Sequence, residues 1–171
     1  MLINLSEVMA NVGQEKHTQA DIEFSEFAMN GEVYAVASKS QVKVDVICVG
    51  EHKVSVQCEA EISLHVPCSR CLKDVIVPFT ISFEKKLDFS DTPLAREELM
   101  EAVYIQERDL DVDALLKEEL MIQFPMQVLC QENCKGICYI CGTNLNTGSC
   151  DCDQQGRDPR MLAIQDIFNN R

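Results

Sequence analysis

Residues 53–66 read Lys-Val-Ser-Val-Gln-Cys-Glu-Ala-Glu-Ile-Ser-Leu-His-Val, and their alternation decides the fold. Val54, Val56, Cys58, Ala60, Ile62, Leu64 and Val66 fall on one side of an extended chain. Lys53, Ser55, Gln57, Glu59, Glu61, Ser63 and His65 fall on the other. A sustained period of two specifies a strand with one buried and one wet face. Upstream, Val42, Val44, Val46 and Cys48 share a face of a preceding strand, and Gly50 sits in the short connection, where a positive φ is expected. Downstream of a turn at residues 67–74, Val75, Val77, Phe79, Ile81 and Phe83 resume the alternation up to about Phe89. The three segments predict an antiparallel meander. Stretches near Asp21–Phe24, Glu32–Ala37 and Val103–Gln106 are candidates for further short strands. Residues 90–101 read either as a short helix started by Thr92 and Pro93 or as a loop.

The clearest helix runs from Asp111 to Phe124. Asp111 is suited to cap it, Asp113 suits its positive end, and Val112, Leu115, Leu116, Leu120 and Phe124 form an apolar stripe that should cover the sheet. Pro125 stops it. A last helix is expected after Asp158 and Pro159, with Met161, Ile164, Ile167 and Phe168 on one face. The fold class is therefore α+β. An antiparallel sheet domain over residues 1–125 carries the covering helix 111–124, and a cysteine-rich segment with a terminal helix follows over 126–171.

Eight of the ten cysteines cluster at ligand spacing. Cys68-Ser-Arg-Cys71 lies in the turn between two strands, and a two-residue gap lets both sulfurs face one point about 2.3 Å away, as tetrahedral zinc requires. A redox CxxC pair belongs instead at a helix N-terminus, where the helix dipole lowers the thiol pKa. Cys138-Tyr-Ile-Cys141-Gly142 has the form of a zinc knuckle, and Cys150-Asp-Cys152 can complete a local four-cysteine site. Cys130 and Cys134 then remain. They either join Cys68 and Cys71 in a second site or join Cys138 and Cys141 in a different grouping. Cys48 and Cys58 lie among valines and isoleucines and read as core, where free cysteine behaves as a small hydrophobe. His65 is near Cys68, but its parity places it on the wet face. Two zinc ions per chain are expected.

The chain carries a formal charge of −13, and two zinc ions on eight thiolates would take it to roughly −17. Nucleic-acid affinity rests largely on Lys and Arg contacts to phosphate, and only 15 such residues are present. A basic protein partner is favoured on the same electrostatic grounds. Nucleophile-elbow, phosphate-loop and HExxH patterns are absent, and a four-cysteine zinc site has no open position for substrate. The reading is therefore non-enzymatic, with no small-molecule substrate. The first residues, Met1 to Gly13, do not read as a signal peptide, and no run of about 20 apolar residues suggests a membrane span, so cytoplasmic residence is expected.

Taken in order, Cys68-Ser-Arg-Cys71-Leu72, the stretch Cys130-Gln-Glu-Asn-Cys134-Lys-Gly-Ile-Cys138-Tyr-Ile-Cys141-Gly-Thr-Asn-Leu-Asn146, Cys150-Asp-Cys152 and Asp158-Pro159-Arg160 resemble the YceD family, the large ribosomal RNA subunit accumulation proteins. The resemblance is best from about residue 40 onward. It implies a role in accumulation of large-subunit ribosomal RNA, hence in ribosome assembly, without supplying a mechanism. Some members keep the CxRC pair and lack the C-terminal cysteines, which fits a site made of Cys68, Cys71, Cys130 and Cys134. Two functions follow as expectations. One is an acidic adaptor or chaperone for a basic ribosomal protein or ribosome-assembly factor. The other is a ribosomal-RNA-binding module presenting Lys135, Arg157, Arg160 and Tyr139.

Overall fold

Alternating valine and isoleucine set the longest strands. In the computed structural model, which describes residues 1–152, β5 (Gln41–Gly50), β6 (Lys53–Pro67) and β7 (Asp74–Asp88) are consecutive neighbours in one sheet. The expected terminal helix, with Asp158, Pro159, Met161, Ile164, Ile167 and Phe168, lies outside the described residues. Every apolar residue read onto the inner faces of β5 and β6 is buried, Cys48 and Cys58 included. On β7, Phe79, Ile81 and Leu87 are buried, whereas Val75, Val77 and Phe83 are half-buried.

The other strands complete an α+β fold that is mostly antiparallel sheet. β2 (Glu15–Asp21) pairs antiparallel with β5, and β3 (Glu26–Met29) pairs antiparallel with β4 (Glu32–Lys39). β4 and β5 follow one another along β6, with Lys39 opposite Ile62 and Lys43 opposite Glu59. A register shift between Val36 and Ser38 bends this pairing, and Ser40 closes it through its N–H to the Glu61 carbonyl. A smaller sheet joins β1 (Leu2–Asn4), β9 (Asp109–Asp111) and β8 (Ile105–Gln106).

Some local expectations shift. Of the stretch near Asp21–Phe24, Asp21 is the last residue of β2, opposite Gln41, and the rest belongs to the connection to β3. The positive φ at the β5–β6 turn falls on His52 (62°), not on Gly50, which pairs with Lys53 inside the ladder. Ser55, read onto the wet face, is buried and donates to Glu84 at 2.7 Å. Residues 93–101 do form a helix, α1 (Pro93–Glu101), and the Thr92 hydroxyl caps it by accepting from the Ala95 N–H.

Helix α2 (Val112–Gln123) is capped by Asp111, whose carboxylate accepts from the N–H groups of Asp113 and Ala114. It buries Val112, Leu115, Leu116 and Leu120. Phe124 just beyond it meets the rings of Tyr34, Phe79 and Phe27 at 4.9, 5.9 and 6.0 Å. Glu119 is buried on the same helix and is paired with Lys85 of β7 at 2.8 Å. Lys85 also pairs with Glu118 at 2.8 Å, and loss of Lys85 would leave the Glu119 charge buried without its cation. No described helix is long and apolar enough to cross a membrane.

The chain divides into two compact units. One is Met1–Val66 with Asp74–Met126, and the other is Pro67–Lys73 with the chain from Gln127 onward. The second unit holds all eight clustered cysteines.

Candidate metal centres

Two short turns of the same design carry the paired cysteines. In the first, the Leu72 N–H donates to the Cys68 carbonyl at 2.9 Å and the Cys68 N–H to the Lys73 carbonyl at 2.8 Å. In the second, the Gly142 N–H donates to the Cys138 carbonyl at 2.8 Å and the Cys138 N–H to the Thr143 carbonyl at 2.8 Å. The residue after the second cysteine is left-handed in both, with φ of 61° at Leu72 and 75° at Gly142. This reversal turns the two sulfurs of each pair to one side. Glycine adopts it at no steric cost, and a leucine there carries strain.

The structure brings Cys68, Cys71, Cys130 and Cys134 into one group, and Cys138, Cys141, Cys150 and Cys152 into another. Within each group the sulfurs lie within 4.8 Å of one another. Cys68 and Cys134 are 3.8 Å apart, and Cys71 and Cys130 3.5 Å. Four sulfurs at about 2.3 Å from one tetrahedral ion would be separated by about 3.8 Å, so the donor set fits a single ion. None of the ten cysteines is in a disulfide. Of the two groupings open in the sequence, this geometry joins Cys130 and Cys134 to the turn between β6 and β7.

The first group is held from several directions. The Ser69 N–H donates to the Val128 carbonyl at 2.8 Å, and the Val128 N–H returns to the Ser69 hydroxyl at 3.2 Å. Arg70 donates from its guanidinium to the Cys134 carbonyl at 2.9 Å, and its own carbonyl accepts from the Ile137 N–H at 3.2 Å. Gly136, at φ 79°, lies so close that a Cβ there would meet the Arg70 carbonyl oxygen at 3.1 Å. These contacts use serine, arginine and glycine between or beside the ligands, and ligand spacing alone gives them no role.

Burial opposes charge on the Cys68 thiol, but the N–H groups of Arg70, Cys71 and Cys130 outweigh it and hold the pKa down at about 6. Cys130 goes the other way, to about 12, through its hydrogen bond to Cys71 and through burial. The second group repeats the contrast. Hydrogen bonds from Thr143 hold Cys141 at about 6, and hydrogen bonding to Cys141 lifts Cys152 to about 12. Four crowded thiols resist ionising together, and a divalent cation among them is what makes four thiolates compatible.

Cys48 and Cys58 stay apart from these groups. Burial pushes the Cys58 thiol up to about 12, which keeps it neutral and inert. His65 bonds Asp74 at 2.6 Å, and His17 bonds Asp45 at 2.7 Å.

The model of the family described as large ribosomal RNA subunit accumulation protein YceD matches residues 56–168, a span containing both cysteine groups. The chain belongs to the YceD family. Among relatives, the uncharacterized protein YlbN of Bacillus subtilis (strain 168) is 33% identical over 105 residues, covering 60% of this chain and 59% of that protein. The chloroplastic large ribosomal RNA subunit accumulation protein YCED homolog 1 of Zea mays is 33% identical over 57 residues, 31% of this chain and 20% of that protein. Its Arabidopsis thaliana counterpart is 29% identical over 51 residues, 30% of this chain and 16% of that protein. The chain thus spans less than two thirds of each of these relatives. No solved structure matches it.

Proposed function

We propose that this YceD-family protein is a non-catalytic, cytoplasmic zinc-binding factor in large ribosomal subunit biogenesis, acting as an acidic adaptor for a basic ribosomal protein or assembly factor. The observation that carries the metal part is the gathering of eight cysteines into two tetrahedral-sized groups. Zinc is the natural ion for four thiolates of that size, and when bound it supplies a structural crosslink with a closed coordination shell. The family description supports the ribosomal setting and names an accumulation factor rather than an enzyme.

The adaptor part rests on the formal charge of −13. Glu59 and Glu61 on β6 and Glu97 and Glu98 on α1 are all exposed, so the negative surface is available to a cationic partner. Direct binding of ribosomal RNA is the second reading, favoured by the exposed Tyr139 and Lys135 on the second unit; Arg157 and Arg160, expected to join them, lie outside the described residues. One capture experiment separates them. Tagged protein is recovered from cells under reducing conditions, its zinc is measured, and its companions are identified by mass spectrometry and RNA sequencing. Two zinc ions per chain and enrichment of basic ribosomal proteins are expected. Fewer than two ions would refute the two-centre reading, and recovery of ribosomal RNA without protein would refute the adaptor.

A further inference from the structure

Asn146 belongs to the loop between Cys141 and Cys150, yet its amide reaches the other cysteine group. Its Nδ2 donates to the Cys134 sulfur at 3.3 Å, and its Oδ1 accepts from the Lys135 N–H at 2.8 Å and from the Gln131 side chain at 3.2 Å. One side chain therefore clasps the Cys130–Cys134 segment by a sulfur, a backbone amide and a neighbouring side chain. The loop that carries it is itself fixed. The Leu145 N–H donates to the Gly136 carbonyl at 2.9 Å, Ile137 and Asn144 form an antiparallel bridge, and Asn144 Oδ1 accepts from both the N–H and the Nδ2 of Asn146. The ends of the same loop are the ligands of the second group.

Resting on the metal reading above, we infer that Asn146 is a positioning residue for the first metal centre, supplied by the loop of the second, so that the two centres load cooperatively and in order. A donated N–H stabilises negative charge on sulfur and fixes the direction of its remaining lone pairs. Outer hydrogen bonds of this kind typically change metal affinity by about 10–100-fold. The order follows from chain length. Cys138 to Cys152 is a local loop that a single ion can close, whereas the first centre must bring Cys71 to Cys130, 59 residues on. Once the second centre forms, the Cys141–Cys150 loop is set and Asn146 is in place for Cys134. By linkage, an ion in the first centre must strengthen the second to the same degree.

The test uses the full chain and two variants. Asn146→Asp keeps an acceptor for the Lys135 N–H but has no N–H for the sulfur, and Asn146→Ala has neither. Zinc-loaded proteins are challenged with a chromogenic chelator, and cadmium-113-loaded proteins are examined by NMR, with Cys68→Ser used to assign the first centre's resonance. Both Asn146 variants are expected to release one ion about tenfold faster and to shift that centre's resonance alone. Release of both ions at the wild-type rate, a shift confined to the second centre's resonance, or wild-type behaviour of Asn146→Asp would overturn the inference while leaving two-metal binding intact. A wild-type chain that takes up fewer than two ions would overturn the metal reading and this inference with it.

Discussion

Two glycines show how differently one residue type is used within a single unit. Gly142 has a positive φ, but a Cβ there meets nothing within 4 Å. Its replacement by alanine costs only the left-handed conformation, about 1–2 kcal/mol, and Leu72 holds the same place in the first turn. Gly136 combines a positive φ with a backbone contact that a Cβ would close to 3.1 Å, and the opposing atom is the Arg70 carbonyl oxygen, which cannot swing away as a side-chain tip can. Gly136→Ala therefore pushes the Gly136–Ile137 segment and the Arg70 carbonyl apart by a few tenths of an ångström, between the two halves of the first cysteine group. Isothermal titration with zinc should show Gly136→Ala weakening one ion by tenfold or more, about 1.4 kcal/mol, with Gly142→Ala causing the smaller loss. The opposite ranking would show that backbone crowding at Arg70 is unimportant to metal binding.

The turns and strands differ in how openly the sequence declares them. β5 and β6 are legible because their inner faces are unbroken rows of apolar side chains, and α2 because its cap, stripe and terminating proline agree. β2, by contrast, reads Glu-Lys-His-Thr-Gln-Ala-Asp and buries no residue fully, so it leaves no period to find, and its register is set by the neighbouring strand. The ligand pairs are legible by spacing. The Asn146 contact is not, since an asparagine between two knuckle cysteines reads as turn chemistry until the loop is seen to lean on Cys134. The same elements predict how metal loss propagates. Cys138→Ser should lower hydrogen-exchange protection at Cys138, Gly142, Leu145 and Lys135, whose amides are tied to that loop, while β5 and β6 stay protected. Cys68→Ser should instead expose Ser69, Leu72 and Cys130. Matching patterns from the two substitutions would argue for one undivided cysteine cluster.

The protein as a whole is an acidic body, and its charge gives a partner test that the metal does not. Glu59, Glu61, Glu97 and Glu98 are exposed, as is Asp91, which pairs with Arg96. Reversing all five to lysine changes the formal charge from −13 to about −3, and exposed charges act over roughly 8 Å at physiological ionic strength. Capture of basic ribosomal proteins should drop at least tenfold, with zinc content unchanged. Undiminished capture by that variant would defeat the adaptor reading, and newly gained ribosomal RNA would point to the other. The division of the chain into units has a further consequence for how the protein is made. The second unit borrows Pro67–Lys73 from the middle of the sheet sequence, so its parts leave the ribosome at different times. At about 5–20 residues per second, Cys71 emerges roughly 3–12 s before Cys130, 59 residues later. During that interval a half-built pair of thiols is carried on a nascent chain, open to oxidants and stray metal until translation delivers its other half.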